Sequence, residues 1–96
     1  IDDWDRRHDF FHTALVSRCA LEHLLQIRLS LRDKALRYKR IWLRETVTTS
    51  YLFKENFSEH EELVKLAMAR SADAASALIY THLMHPVDII EQALAA

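Results

Sequence analysis

His8 and His12 stand four residues apart in the stretch Trp4-Asp5-Arg6-Arg7-His8-Asp9-Phe10-Phe11-His12. On a helix, residues at that spacing lie one above the other on a single face, so both imidazoles point at the same small volume. One helix then offers two nitrogen ligands to a metal ion. Asp5 shares the face, three residues before His8, while Asp9 is turned away by the step of ~100° per residue. Two more histidines, His60 and His82, fall in later helical stretches. Three or four imidazoles converging from three helices make a nitrogen-rich site for Zn²⁺ or another late transition metal.

Other chemistry is compatible with the same residues. His8-Asp9-Phe10-Phe11-His12 approaches the His-Glu-x-x-His pattern of zinc hydrolases, in which a carboxylate acts as general base on metal-bound water. Asp9 is one methylene shorter than the glutamate that this role requires. A helical histidine is also commonly a surface residue or a hydrogen-bonded core residue, and spacing alone does not separate these cases. His23 and His85 have no partner at ligand spacing and read as surface residues. Cys19 has no evident base beside it and reads as packing.

The elements that must position these side chains are helices. Glycine is absent and Pro86 is the only proline, so the tight turns of a small sheet protein have no supply of turn residues. Apolar residues recur at helical spacing from Asp2 to about Ser17 (Trp4, Phe11, Ala14, Leu15), with a break expected at 17–20 and Ser17 as the cap of the second helix. A long amphipathic helix is expected from Leu21 to about Leu43. Its opposite face is basic, carrying Arg28, Arg32, Lys34, Arg37, Lys39 and Arg40. The β-branched run Thr46-Val47-Thr48-Thr49 is a poor helix interior and predicts a connection. Ser58 followed by Glu61 has the form of a capping box and predicts a helix start, with His60 in its first turn. Ser71 ends that helix and caps the last one, with Asp73 in the first turn. Pro86 lies inside the last helix, where it removes a backbone hydrogen bond and predicts a bend. The fold class is all-α, an antiparallel helical bundle.

Composition bounds the function. Ninety-six residues, half of them apolar and 28% charged, suit one domain that is neither disordered nor membrane-embedded. The apolar runs are far short of a bilayer span. A formal charge of −1 gives no basic field for phosphates. The single Cys19 excludes an internal disulfide and is compatible with a reducing cytoplasm. The chain opens on Ile1 rather than Met, so a fragment or a processed product is expected.

Taken together, Trp4-x-x-Arg7-His8-x-x-Phe11-His12-x-x-Leu15, then Cys19, Leu24-Leu25 and Arg37-Tyr38-Lys39-Arg40, resemble the opening helices of the FCD domain. This is the effector-binding domain of the FadR branch of GntR-type bacterial transcription regulators. Glu59-His60-Glu61-Glu62-Leu63 resembles the family's Glu-His-Arg-x-Ile. The stretch from Ala69-Arg70-Ser71-Ala72-Asp73 to Thr81-His82-Leu83 resembles its Ala-x-x-Asp to His-Leu ending. The likeness covers nearly all of residues 1–96, and the order and spacing of the histidines is its most specific part.

The resemblance implies a divalent metal, Zn or Ni, held by His12, His60, His82 and His8. His8 stands where the family usually has Asp, which makes the site richer in nitrogen and less negative. The family's Gly-Asn-Pro type of first turn is replaced by Ala20-Leu21-Glu22. It further implies a non-enzymatic sensor in which a small carboxylate effector fills the metal's open positions, with Arg37 and Tyr38 holding its other end. DNA would be bound only through an N-terminal winged helix missing in front of Ile1, and the domain would pair as a homodimer. The alternatives are a free-standing helical metalloprotein, possibly a zinc hydrolase using His8, His12 and Asp9, and a purely structural dimerising bundle.

Overall fold

A computed structural model describes the backbone of residues 2–47 and 50–95, and the side chains of residues 3–46 and 54–95. It contains four helices: α1 (Asp2–Val16), α2 (Glu22–Val47), α3 (Ser50–Met68) and α4 (Ala72–Ala95). No strand occurs among the described residues. The chain divides into two compact units, residues 1–34 and 35–96, with the division falling inside α2.

In the first unit, α1 begins with Asp3 paired to Arg6 at 2.6 Å and to Arg7 at 3.0 Å, a carboxylate placed where the free amides of a helix start favour it. Asp9 accepts from Arg32 at 3.0 Å, and Thr13 from Arg28 at 3.3 Å. One turn up α1 corresponds to one turn down α2, so the two segments run antiparallel. Part of the basic face of α2 thus serves to clamp α1. Among the described residues of this unit no side chain is fully buried. Leu24, Ile27 and Leu31, apolar residues at helical spacing on α2, are more than half exposed.

The second unit has the core. Trp42, Leu43 and Thr46 from the end of α2, Leu63 from α3 and His82 from α4 are buried. α3 and α4 are antiparallel: Glu55 and Glu59, one turn apart on α3, meet His85 and then His82 on α4.

The structure differs from the sequence expectations at three helix boundaries and at Cys19. Ser17 does not cap α2; its Oγ donates back to the Ala14 carbonyl at 2.9 Å and closes α1. The Leu21 carbonyl accepts the first bond of α2, from the Leu25 amide. α2 continues through Thr46, because the Thr46 hydroxyl is satisfied internally on the Trp42 carbonyl at 2.9 Å. A β-branched residue that finds this partner can stay helical and buried. Thr48 and Thr49 lie outside the described residues. Ser58 starts no helix, since α3 already begins at Ser50; with no Gly or Pro between them the chain has no reason to stop. His60 therefore lies in the third turn of α3, not the first. Finally, Cys19 is exposed in the turn between α1 and α2, not packed.

The α3–α4 turn is a Schellman motif made without glycine. The Ser71 amide donates to the Leu66 carbonyl at 3.0 Å and the Arg70 amide to the Ala67 carbonyl at 3.1 Å, with Arg70 left-handed at φ 57°. Ser71 then opens α4: its carbonyl accepts from the Ala75 amide, and Asp73 sits in the first turn as expected. α4 runs through Pro86 to Ala95 without interruption.

Candidate metal centre

The four candidate ligands among the six histidines form two pairs, one in each unit. On α1, Trp4, His8 and His12 make a ladder at four-residue spacing. The His8 ring stacks on Trp4 at 4.5 Å and 13°, and meets His12 edge-on at 4.6 Å. Phe11 flanks His12 at 5.3 Å. These contacts hold the two Nε2 atoms 3.2 Å apart. Two nitrogens sharing one ion at the usual Zn–N length, with angles between square and tetrahedral, stand about 2.9–3.4 Å apart. The 3.2 Å separation of the His8 and His12 Nε2 atoms lies within that range. Without the ion, one ring must donate its proton to the other's lone pair.

In the second unit, His60 of α3 and His82 of α4 meet edge-on, their centroids 4.5 Å apart. His82 is only 3% exposed. Its Nδ1 lies 2.8 Å from Glu59 Oε1. An ionised carboxylate can only accept, so His82 Nδ1 carries the proton and its lone pair is on Nε2. His60 is half-buried and bonded to the backbone of Asn56. Burial pushes its pKa below the ordinary 6.5, and the neighbouring His82 pushes in the same direction. A ring kept neutral is a ring ready to coordinate.

Glu59 is the residue that the sequence reasoning passed over. Its two oxygens are shared between His82 Nδ1 and His85 Nδ1, the second at 3.0 Å. Burial alone would raise its pKa, but the bonds from His82 and His85 outweigh this and hold it below 4.5. Glu55 approaches His85 Nε2 at 3.7 Å. His85 is thus a surface residue, as expected, yet not partnerless. The signal was present in the spacing: Glu55/Glu59 at i,i+4 and His82/His85 at i,i+3 place each pair on one helix face. A small, partly open depression of about 20 Å³ beside Glu55, Glu59 and His85, also lined by Trp42 and Pro86, has room for about one water.

The other candidates lie elsewhere. Arg37 donates to the Tyr38 hydroxyl at 2.9 Å, with its guanidinium 5.0 Å from the ring centroid; both are exposed. Asp9, the candidate base of the hydrolase alternative, is engaged by Arg32 and would have to leave that pair to act. His23 is exposed.

The sequence comparison supplies the family. Residues 1–85 match the FCD domain family. The chain belongs to the FCD family. It is also 43% identical over 95 residues to the HTH-type transcriptional repressor GlaR of Escherichia coli, which covers 99% of this chain and 43% of GlaR. The chain thus spans less than half the length of this relative. No solved structure gives a significant match. No helix among the described residues is long and apolar enough to cross a membrane.

Proposed function

We propose that this FCD domain is the effector-sensing part of a GntR-type transcription regulator, and that His8, His12, His60 and His82 together hold one divalent metal ion, Zn²⁺ or Ni²⁺. The observation that carries the reading is the pair geometry: Nε2 atoms 3.2 Å apart on α1, and a buried His82 whose Nδ1 lies 2.8 Å from a Glu59 oxygen, which in the neutral ring leaves Nε2 for the ion. The family's usual carboxylate is absent at His8, so four neutral imidazoles leave the ion its full positive charge. When bound, the ion supplies Lewis acidity toward a carboxylate oxygen, and a small carboxylate metabolite is the effector class that suits it. Arg37 and Tyr38, already joined to each other, are the proposed holders of the effector's far end, since a guanidinium and a phenol both donate to carboxylates.

The domain is non-enzymatic in this reading, acts in the cytoplasm as one half of a homodimer, and reaches DNA only through the part of the regulator outside residues 1–96. Effector affinity that differs between two arrangements of the helices would bias how the paired DNA-binding parts sit on an operator. The test is metal analysis and calorimetry on protein stripped of adventitious metal. One equivalent of Zn²⁺ or Ni²⁺ near neutral pH is expected, and no stoichiometric uptake would remove the reading.

A further inference from the structure

We infer that Glu59 is a positioning residue for the metal: by accepting the Nδ1 proton of His82 it fixes the tautomer and ring orientation that present Nε2 to the ion. The inference rests on the metal reading above and adds to it a residue that supports a ligand.

Three observations carry it. The Glu59–His82 bond is short, 2.8 Å, and its histidine side chain is 4% exposed, so water is poorly placed to replace the carboxylate. Glu59 and His60 are consecutive on α3 and both contact His82, one through Nδ1 and the other against the ring. The second Glu59 oxygen is held by His85 Nδ1 at 3.0 Å, which limits rotation of the carboxylate. A histidine ligand whose other nitrogen donates to a carboxylate has a fixed tautomer and a more basic lone pair. Removing such a partner typically lowers metal affinity about 10–100-fold.

Glu59→Ala and Glu59→Gln separate the contributions. Glutamine keeps an acceptor oxygen for Nδ1–H but loses the charge; alanine loses both. Calorimetry with Zn²⁺ should give unchanged stoichiometry, with Kd raised about 10–100-fold in Glu59→Ala and by a smaller factor in Glu59→Gln. Imidazole ¹⁵N shifts in the metal-free protein supply a readout that a merely structural role would not move. His82 should be protonated on Nδ1 in wild type and in Glu59→Gln, and should shift toward Nε2 protonation in Glu59→Ala. Wild-type Zn²⁺ affinity in Glu59→Ala overturns the inference, as does an unchanged His82 tautomer. It is also overturned if Glu59→Ala loses a whole equivalent of metal while the remaining affinity is unchanged, because Glu55, Glu59 and His85 would then be coordinating directly. If wild type itself takes up no metal, the proposed function fails as well, and the ¹⁵N shifts still report separately whether Glu59 sets the tautomer.

Discussion

His82 and His85 are one turn apart on α4 and both bond to Glu59, yet their substitution should have opposite consequences. His82→Ala removes the buried ligand and leaves His60 alone on its side of the proposed site, so stoichiometric Zn²⁺ binding should be lost. His85→Ala removes only the outer bond to Glu59, beside a depression with room for a water that can take the vacated oxygen. Its Kd for Zn²⁺ should stay within a few-fold of wild type by calorimetry; equal loss in both variants would refute the assignment of roles. The pH dependence arises from the same groups. Imidazoles bind metal only when neutral, so affinity should decline as pH falls below about 6.5. His60, held low by burial and by His82, should protonate below the ordinary 6.5. The stability of the metal-free protein carries the same sign. A His60 pKa depressed by folding adds nothing above 6.5 and costs stability as pH falls from 6.5 through the lower folded value. A Glu59 pKa depressed by folding contributes stability above 4.5 that is lost as pH falls through its folded value. The melting temperature should therefore fall from pH 7 toward pH 4, and Glu59→Gln should flatten the part of the curve below 4.5. A melting temperature that rises on acidification would contradict both shifts.

At the scale of the element, the α3–α4 turn is where the chain's lack of glycine has a measurable cost. Arg70 is exposed and left-handed at φ 57°, a conformation in which a side chain crowds the backbone by roughly 1 kcal/mol or more. Arg70→Gly should relieve that crowding, partly offset by the extra freedom of glycine in the unfolded chain. A net gain of about 0.5–1 kcal/mol is expected, which for a domain near this size raises the melting temperature by a few degrees. A lower melting temperature would mean that the Arg70 side chain contributes something the turn geometry does not reveal. The same element explains what could be read from sequence. Helical periodicity and the absence of glycine were enough for the fold class, and Ser71 with Asp73 marked the start of α4 within a residue. The start of α3 was missed because Ser58-Glu59-His60-Glu61 matches a capping box by composition, whereas capping needs a chain that is not already helical. The continuation of α2 through Thr46 was missed because propensity does not include a hydroxyl satisfied within the helix. The approach of His8 to His12 was legible because the periodicity of one helix sets their spacing, whereas His60 and His82, on different helices, were linked only by the family resemblance. Glu59 was not singled out because its partners, His82 and His85, are on another helix.

At the scale of the whole chain, charge and exposed apolar surface lead to different expectations for two partners. With a net charge of −1 the chain has no overall excess of positive charge, so it should show no salt-sensitive affinity for duplex DNA. Sub-micromolar binding in moderate salt would count against the proposal that DNA contact lies outside residues 1–96. Self-association is a different matter. Tyr80, Leu83 and Met84 fall at i, i+3 and i+4 on α4 and are 68%, 60% and 47% exposed. Leu24, Ile27 and Leu31 make a comparable stripe on α2, each more than half exposed. Apolar residues grouped at helical spacing are a surface that association would cover, unlike apolar residues scattered singly. Fully burying one such side chain contributes about 1.5–3 kcal/mol, so covering either stripe in a second copy favours a dimer at micromolar to millimolar concentration. The chain should therefore sediment as a dimer or larger species at a few hundred micromolar. Leu83→Glu puts a charge in the middle of the α4 stripe without touching the buried core, and Ile27→Glu does the same on α2. If the domain pairs through α4, only the first should shift sedimentation to a monomer while helicity by circular dichroism is retained. If only the second does, the pairing surface is α2. A wild-type chain that remains monomeric at that concentration would rule out both stripes as pairing surfaces, and with them the homodimer proposed for this domain.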